Sequence, residues 1–545
     1  MIVLGITGGH DANWCVVRDG VLLGAFEKER FTRVRHARGD VISLIAPTLA
    51  RLGLTIADID VVATSEPVHR GTDSGVRRLA GRTYTVPDGW QNQTVEVLGR
   101  ILPCISVPHH LAHASYARYT SGSTEPTAVI TWDGGGDYYT EDAYTSTSVS
   151  FWKNGSLEWL ERVPNSDFGS LWYTYSRAVF GDPESAGKLM GLAAFGTDRL
   201  DQTFFDRFTV PQDEVFAGAR TIKDCWPDFE HPPFVPAGPL GWEHPQAKDI
   251  AHAVQATTQT AGLSLVRTAR QVTGAQRLAL AGGVTLNGYL NEDIRRSAVF
   301  DAVHVPPAVD DGGLSVGCAL FASHHVFGVP FRPDPGFDWA KVGMWYDAGT
   351  VNAALADAGD LRVTPCDLDE AVAHAASELT AGQALAWFSG RAEHGPRALG
   401  SRSILSPATS DDHRKRINAE VKFREAFRPI APFTTEARAQ EYFESDQPSP
   451  YMMHIVPCTD RARRETPAAV HVDGTARVQT VRDDEPLGRI VTAVAALGQP
   501  PVLVNTSFNV REPIVNSPHE AVETFRRSPL RSMYLDGFLL SKSER

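Results

Sequence analysis

The chain has 545 residues, 42% of them hydrophobic and 21% charged, with a formal net charge of −13. That length is too great for one hydrophobic core and calls for two lobes or more, and the composition is that of an ordinary folded protein. The acidic balance excludes a general nucleic-acid binder or a binder of anionic membranes, so any anionic ligand must be held by a local basic patch.

The chain opens with "IVLGITGGHDANWCVVRDGVLLGAF". This reads as a strand, a Gly-Gly-His-Asp loop, a second strand, an Asp19-Gly20 hairpin turn and a third strand. No basic start typical of a secretion signal precedes it, and no apolar run reaches the length of a membrane span, so neither secretion nor a membrane span is expected. The six cysteines (Cys15, Cys104, Cys225, Cys318, Cys366, Cys458) include no C-x-x-C pair. They read as reduced thiols of a cytoplasmic protein.

Next, "SVPHHLAHASYA" places His109, His110 and His113 within five positions. Residues four apart share one helix face; they can chelate a single cation or line a wet surface. The opening pattern then recurs in "AVITWDGGGDYYT" and "TSVSFWKNGSLEWLERV", with Asp133 and Asp137 in the glycine loop and an Asn154-Gly155 turn. Two such units imply an internal duplication, which suits the actin-like ATPase class, where a nucleotide is clamped between related halves. Between about 200 and 250 the chain is rich in aromatics and prolines, as a loop shaping an apolar pocket, a lid or an interface would be.

"RLALAGGVTLNGYLNEDIRR" is an apolar strand running into Gly282-Gly283 and a helix with Asn287 on its first turn. Such a turn brings backbone N–H groups to an anion, although a tight strand-to-helix turn needs the same glycines. "HVPPAVDDGGLSVGCALFASHH" adds Asp310, Asp311 and a small-residue helix able to pack closely. Residues 328–345 read as the linker, residues 369–388 as an Ala-rich amphipathic helix feeding a strand. From 391 to 428, nine Lys or Arg stand against five acids. Arg414, Lys415 and Arg416 read as a solvated helix face, whereas Arg397 and Arg402 sit among glycines and apolar residues and read as anion contacts. The segment lacks the interleaved aromatics that would stack nucleic-acid bases.

The sequence resembles the ATP-dependent O-carbamoyltransferases of antibiotic and nodulation-factor biosynthesis. The resemblance is carried by "HDA" at 10–12, "HHLAHA" at 109–114, "WDGGGD" at 132–137, "GKLMGLAAFG" at 187–196, "GGVTLNGYLN" at 282–291, "DGGLSVGCAL" at 311–320, "EHGPRALGSRSIL" at 393–405, "VKFREAFRPIAPF" at 421–433 and "NTSFNVREPIV" at 505–515. One departure is that Arg511 runs directly into Glu512, where the family usually has a glycine between.

The resemblance implies an α/β chain: a duplicated actin-like (Kae1-like) lobe over 1–345 followed by an α/β YrdC-like domain over 346–545. It implies that the second lobe makes carbamoyladenylate from carbamoyl phosphate and ATP, and that the first transfers the carbamoyl group to a hydroxyl of a small-molecule acceptor. The family's metal, typically Fe²⁺, maps onto His109, His113, Asp133 and Asp311, with the choice between Asp311 and its neighbour Asp310 left open by the sequence; ATP brings Mg²⁺. An alcohol is a poor nucleophile and a carbamoyl carbonyl a poor electrophile, so a base is needed, and His10 is expected to take the hydroxyl proton near neutral pH. Lys188, Gly282, Gly283 and Asn287 are the expected nucleotide or carbamoyladenylate contacts. Arg397, Arg402, Lys422, Arg424, Arg428, Asn505, Ser507 and Asn509 are expected to gather carbamoyl phosphate and ATP. No nucleic acid or membrane partner is expected, and a homodimer is allowed. Two rivals are an actin-like kinase or noncatalytic ATPase scaffold, which leaves everything after residue 390 unexplained, and a tRNA threonylcarbamoyl-modifying relative, which the charge of −13 disfavours.

Overall fold

Runs of apolar residues broken by Asp19-Gly20 and Asn154-Gly155 fold as the sequence pattern expects. Ile2–Thr7 (β1), Asn13–Arg18 (β2) and Val21–Glu27 (β3) form one antiparallel meander. Val61–Thr64 (β4), Asn92–Val97 (β5) and Arg100–Ser106 (β6) complete a sheet of order β3-β2-β1-β4-β6-β5. Thr127–Trp132 (β7), Thr147–Lys153 (β8), Ser156–Arg162 (β9), Arg277–Ala281 (β10) and Ala302–His304 (β11) make a second sheet of order β11-β10-β7-β8-β9. Read from the meander inward, both run third, second and first strand and then two parallel strands, so the duplication is present in the topology.

This computed structural model describes residues 1–65, 92–136, 145–163, 167–200 and 238–542. Asp137 and most of the aromatic and proline-rich stretch, 201–237, lie outside the described residues. The chain divides into two compact units: Met1–Thr32 with His36–Trp339, and Arg33–Arg35 with Ala340–Arg545.

In the first unit the helix Leu314–Phe321 lies against the helix His109–Thr120. Their approach is close enough that a Cβ at Gly317 would stand 1.9 Å from Ala112 O, so only glycine lets the two backbones meet. This crossing draws the loop before Leu314 toward the first turn of the histidine helix.

The second unit is built on an eight-stranded mixed sheet. Its strands are Leu361–Pro365 (β12), Leu385–Phe388 (β13), Arg402–Pro407 (β14), Ala431–Thr435 (β15), Gln479–Val481 (β18), Leu503–Ser507 (β19), Ser532–Leu535 (β20) and Phe538–Lys542 (β21). They run in the order β12-β21-β20-β13-β14-β19-β15-β18, and Ile455–Pro457 (β16) pairs separately with Thr475–Arg477 (β17). One face carries the helix Pro518–Arg527 over Phe388, Val504 and Met533, the other Leu368–Thr380 and Pro486–Ala496 over Trp387, Leu405 and Phe433. The helix expected over 369–388 is therefore Leu368–Thr380, with an Asp367/Glu370 capping box, and the strand is β13.

Cys15, Cys104, Cys318, Cys366 and Cys458 are buried free thiols. No helix among the described residues is long and apolar enough to cross a membrane.

Candidate functional site

The helix His109–Thr120 presents His109 and His113 one turn apart on the side that meets the loops after β7 and before Leu314. His109 Nε2 lies 3.0 Å from Asp133 Oδ2 and 3.5 Å from Asp311 Oδ1, and His113 Nε2 lies 3.3 Å from each of the same two oxygens. The four side chains thus converge on one point, with all donor atoms within 4.8 Å of one another. Asp133 is aimed by the Gly283 N–H, which donates to its other oxygen at 3.0 Å. Burial opposes charge on His113, but the carboxylates of Asp133 and Asp311, each 3.3 Å from its Nε2, outweigh it and push the imidazole up to about 10. The two carboxylates therefore favour a positive charge at this point, whether a proton or a metal cation. His113 Nε2 is buried and meets no partner with hydrogen-bond geometry, so the donor set of two imidazoles and two carboxylates fits a divalent transition metal.

Asp310 points elsewhere: its carboxylate accepts from the Gly312 N–H at 3.2 Å, and burial, then the charges of Asp11 and Glu27, push it up to about 8. His110 bonds Ser148 Oγ at 3.0 Å and Gly135 O at 3.2 Å, and burial, then the neighbouring His109, bring it down to about 3, so it is a neutral buried histidine.

His10 stands in the loop between β1 and β2. Its Nδ1 lies 2.7 Å from Asp11 Oδ2 and its Nε2 3.4 Å from Glu184 Oε1. Asp11 adopts φ +52, an uncommon left-handed conformation for a non-glycine residue, and its second oxygen lies 2.9 Å from His36 Nδ1. His36 also stacks on His10 at 4.8 Å between ring centroids. Burial opposes charge on His10, but the hydrogen bonds and charges of Asp11 and Glu184 push it up to about 11. The sequence expectation of an imidazole titrating near neutrality is corrected: two carboxylates bracket one ring and hold its proton. Asn13 ties this loop to the histidine–aspartate cluster. Its Nδ2 donates to Asp11 O at 2.7 Å and Asp311 O at 2.8 Å, while its Oδ1 accepts from the Ser315 N–H at 3.0 Å.

Three expected nucleotide contacts in this unit have other employment. Gly282 adopts φ +86, and a Cβ there would come within 2.2 Å of Trp132 O, so both the turn and the packing call for glycine; its N–H donates to Val309 O, and the Gly283 N–H is spent on Asp133. Asn287 caps the helix Gly288–Arg296 through Leu290 N–H at 3.1 Å and exchanges amide bonds with buried Gln255. Lys188 lies in the helix Ala186–Ala193, its Nζ 5.4 Å from the centre of the Phe180 ring.

In the second unit Arg424 and Arg428 share one electrostatic cluster with Arg397 and with Arg477 at the end of β17. Burial first, then the guanidinium of Arg428, bring Arg424 down to about 9; burial and the charges of Arg397, Arg424 and Arg428 hold Arg477 well below the usual arginine range. The Arg477 Nε is buried with no hydrogen-bond partner among the described residues. Against these cations stands Glu425, 3.7 Å from Arg428 Nη1.

Lys422 is buried beside them, and its Nζ donates to Ser507 O at 2.9 Å, Ser507 Oγ at 3.1 Å, Asn509 O at 2.9 Å and Asn509 Oδ1. Asn509 Nδ2 closes its loop on Glu512 O at 2.6 Å, which gives the stretch from Asn509 to Glu512 a defined shape without the extra glycine. Asn505 donates to Ala398 O at 3.1 Å and Gln479 Oε1 at 2.9 Å.

Arg402 departs from the sequence reading. It is fully buried, donates to the carbonyls of Asn516, Ser389, Ser401, Met344 and Gly390, and lies 3.5 Å from the centre of the Phe388 ring, so its fork holds backbone and does not face a ligand. Arg414, Lys415 and Arg416 pair with Asp411, Asp412 and Glu420. Glu393 accepts from the N–H groups of Leu399, Ser401 and Arg402 at 2.8, 2.6 and 3.1 Å and so fixes the loop that carries Arg397. Sequence reasoning missed Asp11, Asn13, His36, Glu184, Glu393 and Arg477.

Family comparison is consistent across both units. Residues 99–320 match the model of the carbamoyltransferase N-terminus and residues 376–542 that of the carbamoyltransferase C-terminus. The nodulation protein NolNO of Sinorhizobium fredii (strain NBRC 101917 / NGR234) is 30% identical over 99% of this chain and 83% of its own length. The 3'-hydroxymethylcephem-O-carbamoyltransferase of Amycolatopsis lactamdurans is 28% identical over 93% of each chain. Among solved structures, full-length HypF in its phosphate- and nucleotide-bound form aligns at 16% identity with a TM-score of 0.32, over 59% of this chain and 55% of that one. With both family models matched in order, the chain belongs to the carbamoyltransferase family and is a transferase.

Proposed function

We propose that the chain is an ATP-dependent O-carbamoyltransferase working in two stages. In the second unit, read as YrdC-like, carbamoyl phosphate, ATP and one water give carbamoyladenylate, pyrophosphate and phosphate: water breaks the bond between the carbamoyl group and its phosphate, releasing phosphate and carbamate, and a carbamate oxygen bonds to the α-phosphorus of ATP as pyrophosphate leaves. In the first unit, read as the actin-like Kae1 branch, an acceptor hydroxyl attacks the carbamoyl carbon and AMP leaves. The acceptor is a hydroxylated small molecule, and a 3'-hydroxymethylcephem is the first to offer, because a relative is named for it.

The observation that carries this reading is the arginine cluster. Arg397, Arg424, Arg428 and Arg477, gathered in one mutually repelling cluster, are suited to a ligand with several anionic oxygens. They would screen the phosphates of ATP and the donor while the α-phosphorus is attacked. The test is product identity: AMP and pyrophosphate, formed only with carbamoyl phosphate, support the transferase, and ADP supports a kinase or ATPase.

In the first unit His109, His113, Asp133 and Asp311 would hold a divalent cation, Fe²⁺ by family resemblance. When bound, that cation would supply positive charge for phosphate oxygens and polarise the carbamoyl carbonyl. His113→Ala or Asp133→Ala is expected to lower the metal content of the purified, folded protein together with transfer; full occupancy in both variants would contradict the assignment.

His10 is the base in this reading. An acceptor hydroxyl that takes Glu184's place at Nε2 leaves Asp11 alone on Nδ1, the arrangement that orients an imidazole to receive a proton. Glu184 raises the affinity of His10 for its proton, so its removal makes the neutral base available at lower pH. Glu184→Gln is accordingly expected to move the acid limb of the transfer profile to lower pH; an unmoved or alkaline-shifted limb would contradict it.

A further inference from the structure

Phe423 lies between Lys422 and Arg424, two residues of the cation cluster, and is the one phenylalanine of the second unit that is exposed among the described residues, at 53%. Its φ is +46, in the left-handed region where a bulky side chain is a rare occupant. The position explains the conformation. The Lys422 N–H closes on Ile417 O at 2.9 Å and the Arg424 N–H on Asn418 O at 3.0 Å, so Phe423 ends a helical turn at the place where glycine is the stable residue. Both flanking N–H groups are spent on those carbonyls, so the left-handed turn is not a backbone cradle for an anion. The turn is also rigid, since Arg424 Nε donates to Asn418 Oδ1 at 2.8 Å and Asn418 Nδ2 to Arg428 O at 2.9 Å.

Neither backbone nor packing accounts for an aromatic side chain here. Glycine would relieve the strain, and a ring left in water contributes little to the core. Strain held in an over-determined turn beside a site points to a use for the side chain. The neighbour suggests which use: Arg424 belongs to the arginine cluster, whereas the Lys422 Nζ is spent on Ser507 and Asn509, and the exposed ring beside Arg424 is free to meet the part of a ligand that extends beyond its phosphates. Every nucleobase has a complementary face, and stacking on an aromatic ring needs no hydrogen-bond partner.

We propose that the Phe423 ring is the platform on which the adenine base of ATP stacks at the arginine cluster of the second unit. The proposal rests on the reading of that cluster as the ATP site.

The test uses the full chain and the rate of carbamoyl-phosphate-dependent pyrophosphate release at fixed free Mg²⁺. Phe423→Gly is expected to raise KM for ATP about ten-fold with kcat retained. Inhibition by inorganic tripolyphosphate, which has phosphates and no base, should be unchanged, the melting temperature should rise, and Phe423→Trp should keep the wild-type KM. An unchanged KM in Phe423→Gly, with or without a change in oligomeric state by light scattering, overturns the proposal. So does an equal weakening of ATP and tripolyphosphate, which would make the ring a support for the arginines. A wild-type chain that releases no pyrophosphate overturns the ATP-site reading and the stacking with it, whereas an active wild type with an insensitive variant overturns the stacking alone.

Discussion

Replacing His10 with alanine is expected to lower carbamoyl transfer about 10²–10⁴-fold while leaving carbamoyl-phosphate-dependent pyrophosphate release intact. The imidazole is held by Asp11 at 2.7 Å and faces Glu184 at 3.4 Å, and neither contact belongs to the arginine cluster. Its work is confined to the moment the alcohol attacks, when the hydroxyl proton needs a destination. The separation of effects is what identifies the role: a variant that lost pyrophosphate release and kept transfer would reverse the assignment. A melting curve run beside the assay separates chemistry from misfolding.

Arg428→Ala is expected to do the converse, lowering pyrophosphate release about 10²–10³-fold, the scale on which single charge-stabilising donors act. Transfer from carbamoyladenylate supplied directly should persist, and Arg397→Ala should behave alike. Because the cluster repels itself, removing one guanidinium should not lower the melting temperature of the ligand-free protein, although it should abolish the rise that pyrophosphate gives the wild type. A variant with normal pyrophosphate release would remove the cluster from the activation step.

The two strand–loop–hairpin units were legible because their signals are local: alternating apolar residues set each strand, and Asp-Gly and Asn-Gly set the turns. His109 and His113 were legible for the same reason, one helical turn on one face, and Asp133 and Asp311 came with the family motifs. What surrounds His10 was not. Glu184 reaches it from 174 positions away and His36 acts through Asp11, and no periodicity ties such residues together. Arg477 escaped notice because it ends a three-residue strand well after the basic segment.

Arg402, Gly282, Gly283 and Asn287 failed in the opposite direction. An arginine among glycines, or a glycine turn before a helix, looks the same in sequence whether its donors meet a ligand or its own backbone, and here they meet backbone and neighbouring side chains.

The central claim, an adenylate made from carbamoyl phosphate, is tested most directly by exchange of labelled pyrophosphate into ATP, which needs no knowledge of the acceptor. Exchange is expected to require carbamoyl phosphate, to persist in His10→Ala and to disappear in Arg428→Ala. Label that never enters ATP, with ADP accumulating instead, would contradict the claim.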